Sequence, residues 1–316
     1  MKLLTKKDRF MYFVILAFVF VSSTAMAASG KIEIQNPTPI ERTSLSSKKF
    51  PPVPVLTESV AYPVLSAQGV LAVDLNSGVP LYEKNPDSPL LPASTTKIIT
   101  ALVALDTYKL DDILTVDGSA RVDGQKMGLY SGEKLKMEDL LYGLLVFSAN
   151  DAAQTLAANY PGGYDGFIVA MNEKASSLSM ENSRFDNPVG LDGNSQHSTA
   201  RDLVRASEVA MRNPEFAKIV ATKEVSFKDV SGKTAYNLKN LNELLGKVPG
   251  VLGVKTGWTE NARENLVTYV DRDGHKIMIA ILGSQDRFGE TRELINWIYQ
   301  SYIWEEVNPI ARSKSD

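Results

Sequence analysis

Apolar residues follow two different periods along this chain, and the change between them outlines its architecture. The apolar stretches 70–73 and 80–82 flank the polar turn Asn76-Ser77-Gly78, which predicts a β-hairpin. From Ser94 to Tyr108, apolar residues occupy most faces of a 3.6-residue period. A helix that is apolar on most faces is a buried one, so this segment is predicted to lie in the core.

The middle of the chain is helical in pattern, and its end returns to strands. Helical spacing covers Met137–Phe147, Asp151–Asn159, Asp165–Leu178 and Thr199–Met211. Strands are predicted over Gly250–Lys255, Glu264–Val270 and Lys276–Leu282, with a turn at Asp271–Gly274 and a final helix over Arg287–Tyr302. This order predicts an α+β fold, in which an antiparallel sheet takes strands from both ends of the domain and a helical subdomain lies between them.

The first 27 residues have the composition of an export signal. Lys2, Lys6, Lys7 and Arg9 precede the apolar run 10–21, and small residues follow at Ala25-Met26-Ala27. This order predicts a signal peptide over residues 1–27, cleaved after Ala27. The alternative is an uncleaved anchor, the only case that predicts membrane contact. Both place the rest of the chain outside the cytoplasm, in a periplasm or cell-wall space.

Prolines, serines and threonines concentrate between residues 28 and 65. This composition predicts an extended, semi-rigid linker without regular structure. One compact domain is expected over residues 66–305, followed by a polar tail over residues 306–316.

Composition narrows the chemistry. The 316 residues include 34 Lys+Arg, 37 Asp+Glu, two His and no Cys, with a net charge of −3. This balance gives no general attraction to nucleic acid. The absence of Cys excludes disulfides, thiolate-bound metals and a thiol nucleophile. No metal or cofactor is therefore expected, and a Ser-His-Asp triad would need His197 or His275, both interpreted as loop or turn residues.

Ser94 and Lys97 form the first motif with chemical potential. They are three residues apart, so a helix places them on one face. A backbone N–H in the first turn has no intrahelical partner and can face an oxyanion. A buried Lys has a lowered pKa, and its neutral amine can act as a general base for the hydroxyl. Alone the motif is weak, and the simpler interpretation would prevail: a Ser that caps the helix beside a Lys whose amine reaches solvent.

Two more short motifs follow at element boundaries. Ser148-Ala149-Asn150 lies between two predicted helices, where helix capping is the commonest use of these residues. Lys255-Thr256-Gly257 is predicted to end a strand, where Lys255 can point an ammonium into a cleft and Gly257 lets a ligand approach the backbone.

In this order, Ser-x-x-Lys, Ser-x-Asn and Lys-Thr-Gly resemble the signature of penicillin-binding proteins and serine β-lactamases. The longer segments LPASTTKIITALVAL, GEKLKMEDLLYGLLVFSANDAAQTLA, NPVGLDGNSQHSTARDL and GVLGVKTGWTENA resemble the low-molecular-mass D-alanyl-D-alanine carboxypeptidases. The similarity covers about residues 66–303 and implies the penicillin-binding protein/serine β-lactamase-like fold. It implies a serine peptidase that removes the terminal D-Ala from peptidoglycan stem peptides in cell-wall biogenesis and that β-lactams inhibit.

The resemblance also implies roles for individual residues. Ser94 would be the acylated nucleophile and Lys97 its base. Ser148 would relay a proton to the leaving amine, and Asn150 would hold the substrate amide and Lys97.

On the third motif, Lys255 would contribute positive charge and Thr256 would bind the substrate carboxylate. Gly257 would allow close approach of the substrate. The backbone N–H of Trp258, together with that of Ser94, would form the oxyanion hole. Arg287 is similarly placed to the Arg that relatives carry near the carboxylate pocket.

Several departures and alternatives remain open at this stage. Arg263 stands where many relatives have Gly, which puts the fit of that loop to substrate in question. Many relatives also carry a C-terminal β-rich domain, which is not expected here. A D,D-endopeptidase shares all the motifs. A class A β-lactamase needs a Glu after the second motif, and Glu173 and Glu181 lack the expected context. A non-catalytic cell-wall binding protein is the remaining alternative.

Overall fold

A five-stranded antiparallel sheet lies at the centre of the computed structural model, which describes residues 50–57 and 61–307. The strands of this part of the chain are β1 (Val53–Leu56), β2 (Gly69–Asp74), β3 (Pro80–Lys84), β4 (Ile113–Thr115), β5 (Lys134–Lys136), β6 (Glu224–Lys228), β7 (Ala235–Lys239), β8 (Val251–Thr259), β9 (Arg263–Arg272), β10 (His275–Ser284) and β11 (Tyr302–Glu305). The central sheet has the order β3-β2-β10-β9-β8, so β8 is an edge strand.

Most of the α-helices in the described part of the chain lie between the two groups of sheet strands. They are α1 (Lys97–Thr107), α2 (Met137–Leu145), α3 (Asn150–Ala158), α4 (Gly163–Ser177), α5 (Ala200–Met211), α6 (Pro214–Val220) and α7 (Arg287–Ser301). The first six lie between β3 and β8 and form the helical subdomain, and α7 follows the last strand of the sheet.

Side-chain alternation along β10 shows how the sheet is covered on both faces. Ile277, Ile279 and Ile281 belong to one core cluster, which includes Leu294 and Ile298 of α7. The intervening residues of β10, Met278, Ala280 and Leu282, belong to the other cluster, with the helical subdomain. Strand side chains alternate between faces, so a strand that is apolar throughout is one covered on both sides. The described part of the chain therefore has three layers, in which helices cover both faces of the sheet.

The predicted fold class is confirmed: an antiparallel sheet takes strands from both ends of the domain, and a helical subdomain lies between them. The predicted hairpin is β2–β3, with antiparallel pairing. Each predicted helix is present, with ends that differ from the predicted ones by a few residues. The first begins with a 3₁₀ turn over Ala93–Thr96 rather than as an α-helix at Ser94.

Residues 28–65 were predicted to be a linker without regular structure, but their C-terminal part contains a strand. β1 lies within residues 28–65 and pairs antiparallel with β11, with Val55 opposite Ile303. The partner strand is at the far end of the chain and β1 contains Pro54, so no local pattern marks this pairing. The predicted leader, its cleavage site, the first part of the linker and most of the tail lie outside the described residues.

Short paired strands and one helix were missed by the sequence patterns. β4 and β5 are three-residue strands that pair with each other, and β6 and β7 form a hairpin. Helix α6 begins at Pro214, and the side chain of Asn213 caps its N-terminus. Three-residue strands are too short for a periodic signal. Polar and apolar residues alternate along β6 and β7, so the sequence contained the signal for this hairpin.

The prediction that Lys255-Thr256-Gly257 ends a strand was wrong. β8 continues to Thr259, with Gly257 opposite Asn265 and Thr259 opposite Arg263 of β9. Pairing with β9 overrides the weak strand propensity of Lys and Gly. The third motif therefore lies inside an edge strand, with backbone available on its unpaired side.

None of the helices in residues 50–57 and 61–307 combines the length and the apolar character needed to cross a membrane.

Candidate active site

The Ser94 hydroxyl and the Lys97 amine meet at the start of the buried helix. Pro92 precedes the 3₁₀ turn, and α1 continues from Lys97. This arrangement places Lys97 Nζ 2.9 Å from Ser94 Oγ. Lys97 is fully buried, whereas Ser94 lines a cleft. The two atoms are within reach of direct proton transfer.

Two further oxygens orient the Lys97 amine. Its Nζ donates to Asn150 Oδ1 at 2.7 Å and to the Val189 carbonyl oxygen at 2.5 Å. The amide of Asn150 is itself fixed, because its Nδ2 donates to the Asp123 carbonyl oxygen at 2.6 Å. A neutral amine has two N–H donors, which these oxygens take up. The lone pair then remains for the Ser94 hydroxyl.

The surroundings of Lys97 favour its neutral form. Burial lowers the pKa of Lys97 well below its usual value, and the positive charge of Lys255 lowers it further. The carboxylate of Asp151 acts in the opposite direction. A lysine with a lowered pKa is available as a base near neutral pH.

Ser148 connects the second motif to the third. It lies between α2 and α3 in the left-handed region, with φ 61°. Such a backbone costs a non-glycine residue about 1–3 kcal/mol and is often found at functional sites. The Oγ of Ser148 lies 2.9 Å from Lys255 Nζ, which also donates to the Thr256 carbonyl oxygen at 2.8 Å. Burial, followed by the nearby Arg287, lowers the pKa of Lys255 to about 7.

Gly257 allows the edge strand to approach the nucleophile. A Cβ at this position would lie 3.1 Å from the Ser94 backbone nitrogen and 3.1 Å from the Pro92 carbonyl oxygen. A side chain would therefore push β8 away from the turn that holds Ser94. The next residue, Trp258, is 61% exposed and lines the cleft with Thr256.

Arg287 begins α7 and reaches the same cleft. Its Nη1 donates to the Gly257 carbonyl oxygen at 2.9 Å, and its backbone N–H donates to Glu264 Oε2 at 2.9 Å. Its Nε is buried and has no hydrogen-bond partner among the described residues. Burial lowers the pKa of this guanidinium, although Glu264 opposes the shift. Arg287 thus keeps one buried donor unsatisfied beside the edge strand.

All nine residues predicted for the site surround one cleft of about 510 Å³. Ser94, Ser148, Asn150, Thr256, Gly257, Trp258 and Arg287 line it, and the amines of Lys97 and Lys255 bond to two of these, Ser94 and Ser148. The structure brings the three motifs together as expected.

The sequence patterns missed one wall of the cleft, Val189-Gly190-Leu191. Gly190 has φ +89°, and a Cβ there would lie 1.9 Å from the Ala93 carbonyl oxygen. The Val189 carbonyl oxygen binds Lys97. The Asn-x-x-Gly-Leu segment was visible in the sequence, but its contact with Lys97 was not.

Asp151 was also missed. This buried carboxylate accepts hydrogen bonds from the backbone N–H groups of Met127, Gly128, Leu129 and Ala152, at 2.8 to 3.1 Å. The same loop supplies the Gln125 carbonyl oxygen to the Asn150 backbone N–H at 2.7 Å. Asp151 therefore holds the cleft wall against the residue that contacts Lys97.

The turn between β8 and β9 is held by Asp192. Its two carboxylate oxygens accept from Thr259 Oγ1 at 2.8 Å and from Asn261 Nδ2 at 2.9 Å. Arg263, at the start of β9, has φ 58°. This is the conformation that glycine adopts without strain.

Neither histidine lines the cleft: His197 Nδ1 contacts the Ser195 carbonyl oxygen, and His275 stacks on Trp304. Within the ranges that the structure describes, no group of three or more His, Asp or Glu residues is arranged to hold a metal ion.

Comparisons with known proteins agree on one family. The family model described as D-alanyl-D-alanine carboxypeptidase matches residues 56–286. D-alanyl-D-alanine carboxypeptidase DacB2 of Mycobacterium tuberculosis is 36% identical over 248 residues, which are 76% of this chain and 84% of that protein. A D-alanyl-D-alanine endopeptidase of Pseudomonas aeruginosa is 34% identical over 245 residues, 74% of this chain and 77% of that protein.

Solved structures show the same similarity in three dimensions. The DD-transpeptidase of Streptomyces K15 superposes with a TM-score of 0.73 at 31% sequence identity. The superposition covers 76% of this chain and all of that one.

Proposed function

Since this chain belongs to the D-alanyl-D-alanine carboxypeptidase family of serine peptidases, we propose that it removes the terminal D-alanine from peptidoglycan stem pentapeptides through an acyl-enzyme on Ser94. The observation that carries the proposal is the contact between Ser94 Oγ and the buried, base-competent Lys97 amine at 2.9 Å.

Acylation begins at the carbonyl carbon between the two D-alanines. Ser94 Oγ attacks this carbon while its proton passes to the neutral amine of Lys97. Negative charge then develops on the carbonyl oxygen, within reach of the backbone N–H groups of Ser94 and Trp258. Such preorganised donors stabilise the transition state more than the ground state.

The peptide bond then breaks, and the leaving nitrogen needs a proton. Ser148 Oγ gives its own proton to this nitrogen and takes the one that Lys97 received, so Lys97 is neutral again. Lys255, 2.9 Å from Ser148 Oγ, keeps this hydroxyl in place. Water then attacks the acyl carbonyl carbon and gives one proton to Lys97. The bond between this carbon and Ser94 Oγ breaks, the shortened peptide leaves with a new carboxyl group, and Lys97 returns the proton to Ser94 Oγ.

The substrate is held at its terminal carboxylate. Thr256 offers a hydroxyl, Lys255 contributes charge, and Arg287 has a buried Nε donor with no partner among the described residues. Penicillins carry a carboxylate and a strained amide in a similar arrangement, so we expect them to acylate Ser94.

Cleavage of cross-linked peptides is the second candidate, favoured by the endopeptidase relative of Pseudomonas aeruginosa. It uses the same chemistry on a D-alanine whose leaving group is a longer peptide. Mass spectrometry of muropeptides after incubation separates the two: loss of one Ala marks a carboxypeptidase, and conversion of dimers to monomers marks an endopeptidase.

The predicted leader over residues 1–27 supports an extracytoplasmic location, where peptidoglycan is accessible. Mass spectrometry of the exported protein decides whether cleavage follows Ala27 or the leader stays as an anchor.

Labelling with a fluorescent penicillin tests the nucleophile. We expect the wild type and a matched surface variant, Ser226→Ala, to be labelled, and Ser94→Ala to remain unlabelled and to release no D-alanine. Equal labelling of Ser94→Ala would overturn the assignment.

A further inference from the structure

Side chains of opposite charge line the cleft. Arg287 is one of them, and Lys255 is buried nearby. Glu260 is the only acidic residue among the described residues that line the cleft. Its side chain is exposed and makes no hydrogen bond or ion pair within the described part of the chain. A free carboxylate in a binding cleft is available to a cationic group of a ligand.

The backbone around Glu260 is held in place. Thr259 and Asn261, the residues on either side, are both bound by the carboxylate of Asp192. Glu260 therefore projects from a fixed turn at the end of β8. A fixed backbone lowers the conformational entropy lost when a side chain orders on binding.

The spacing along β8 matches the length of a stem peptide. From Thr256 to Thr259 the strand rises by about 10 Å, at about 3.3 Å per residue, and Glu260 follows in the turn. In the proposed function, the terminal carboxylate of the substrate lies near Thr256 and Arg287. An extended peptide then reaches the α-carbon of its third residue from the end after about 10 Å. The third residue from the end then lies beside Thr259, from which a side chain of lysine length reaches the neighbouring Glu260.

We propose that Glu260 makes the site selective for stem peptides whose third residue from the C-terminus ends in a free side-chain ammonium. This inference rests on the proposed function, which sets the direction of the bound peptide. The ammonium pairs with Glu260, and the exposed ring of Trp258 covers the methylene groups between them. Acylation of this amine, as occurs when it forms a cross-link, removes the charge and the preference.

Two matched peptides test the proposal: Nα-acetyl-L-Lys-D-Ala-D-Ala, which has a free ε-amine, and its Nα,Nε-diacetyl counterpart, which has none. The rate of D-alanine release gives kcat/KM for each. A partly exposed ion pair predicts a preference of the wild type for the free amine of about three- to tenfold, expressed mainly in KM. Added salt should reduce it, because screening weakens exposed ion pairs.

Substitutions locate the source of the preference. Glu260→Gln is expected to bring the two kcat/KM values together, and Glu260→Lys to reverse their order. The control Glu181→Gln removes an exposed glutamate without a partner among the described residues and outside the cleft, and it should keep the wild-type ratio.

Each outcome decides a different question. Equal rates for the two peptides with the wild type, or a preference that persists in Glu260→Gln, would overturn the selectivity. Release of D-alanine from neither peptide would overturn the proposed function, and this inference with it.

Discussion

The amine of Lys255 lies 2.9 Å from the hydroxyl of Ser148, and its charge lowers the pKa of Lys97 across the same cleft. One lysine can therefore remain charged while it keeps the other neutral. Two like charges in a buried site raise each other's cost of ionisation. In the proposed mechanism, this difference lets Lys97 act as the base while Lys255 contributes positive charge.

Loss of the Lys97 amine should abolish acylation while the fold remains. Lys97→Met keeps the length and apolar stem of the side chain, and removes a group whose charged form is disfavoured by burial. General-base catalysis is worth about 10²- to 10⁴-fold, so the penicillin acylation rate should fall by at least that range. Stopped-flow acylation and thermal unfolding measure the two effects, with Lys247→Met as a surface control. Acylation of Lys97→Met at the wild-type rate would remove Lys97 as base.

The acylation rate should have a bell-shaped dependence on pH. Protonation of Lys97 at low pH removes the base, so the rate rises as pH increases through its lowered pKa. Lys255 has a pKa of about 7, so its positive charge, and with it the binding of a carboxylate, is lost above that pH. Second-order acylation rates from pH 5 to 10 measure both limbs.

Lys255→Arg separates these two contributions. Arginine keeps its charge across this range, so the variant should lose the falling limb and keep the rising one, even if its maximum is lower. A falling limb at the same pH in both proteins would assign it to another group.

Asp151→Asn tests the carboxylate that joins the cleft wall to Asn150. An amide nitrogen cannot accept the backbone N–H groups that the carboxylate binds. We expect the free energy of unfolding to fall by about 1.5–3 kcal/mol. Because Asp151 raises the pKa of Lys97, its loss should also move the rising limb of the pH profile to lower pH.

Asp202→Asn is the matched control for this variant. Asp202 lies on helix α5, outside the cleft, and is also buried. Its carboxylate accepts hydrogen bonds from the Asn182 backbone N–H and the Ser183 hydroxyl. The substitution should lower stability without moving the pH profile. An equal shift in both variants would show that the effect of Asp151 is general destabilisation.

The sequence could predict those parts of the site in which the contacting residues lie close together along the chain. Ser94 and Lys97 share a helix turn, so their spacing alone predicted one face, and the structure has their side chains in contact. The requirement for Gly190 arises from the carbonyl oxygen of Ala93, which is remote in sequence. No pattern around Gly190 contains that information, and the same is true of the pairing between β1 and β11.

Arg287→Ala should impair recognition of the terminal carboxylate. The guanidinium bonds to the Gly257 carbonyl oxygen and keeps one buried donor without a partner among the described residues. Loss of a charged hydrogen bond corresponds to about 10- to 100-fold in kcat/KM. The comparison that isolates this effect is a D-Ala-D-Ala peptide against its C-terminal amide. The variant should lose most of the wild-type preference for the free acid, and an unchanged preference would exclude Arg287 from this role.

Arg263→Gly should stabilise the protein. Arg263 has φ 58°, a conformation that costs a residue with a Cβ roughly 1–2 kcal/mol. Glycine removes this cost but increases the entropy of the unfolded chain by up to about 1 kcal/mol, so a net gain of about 0.5–1 kcal/mol is expected. Urea unfolding measures it, and Arg263→Ala, which keeps the Cβ, should show no such gain. If the two variants are equally stable, the left-handed backbone at this position is not strained.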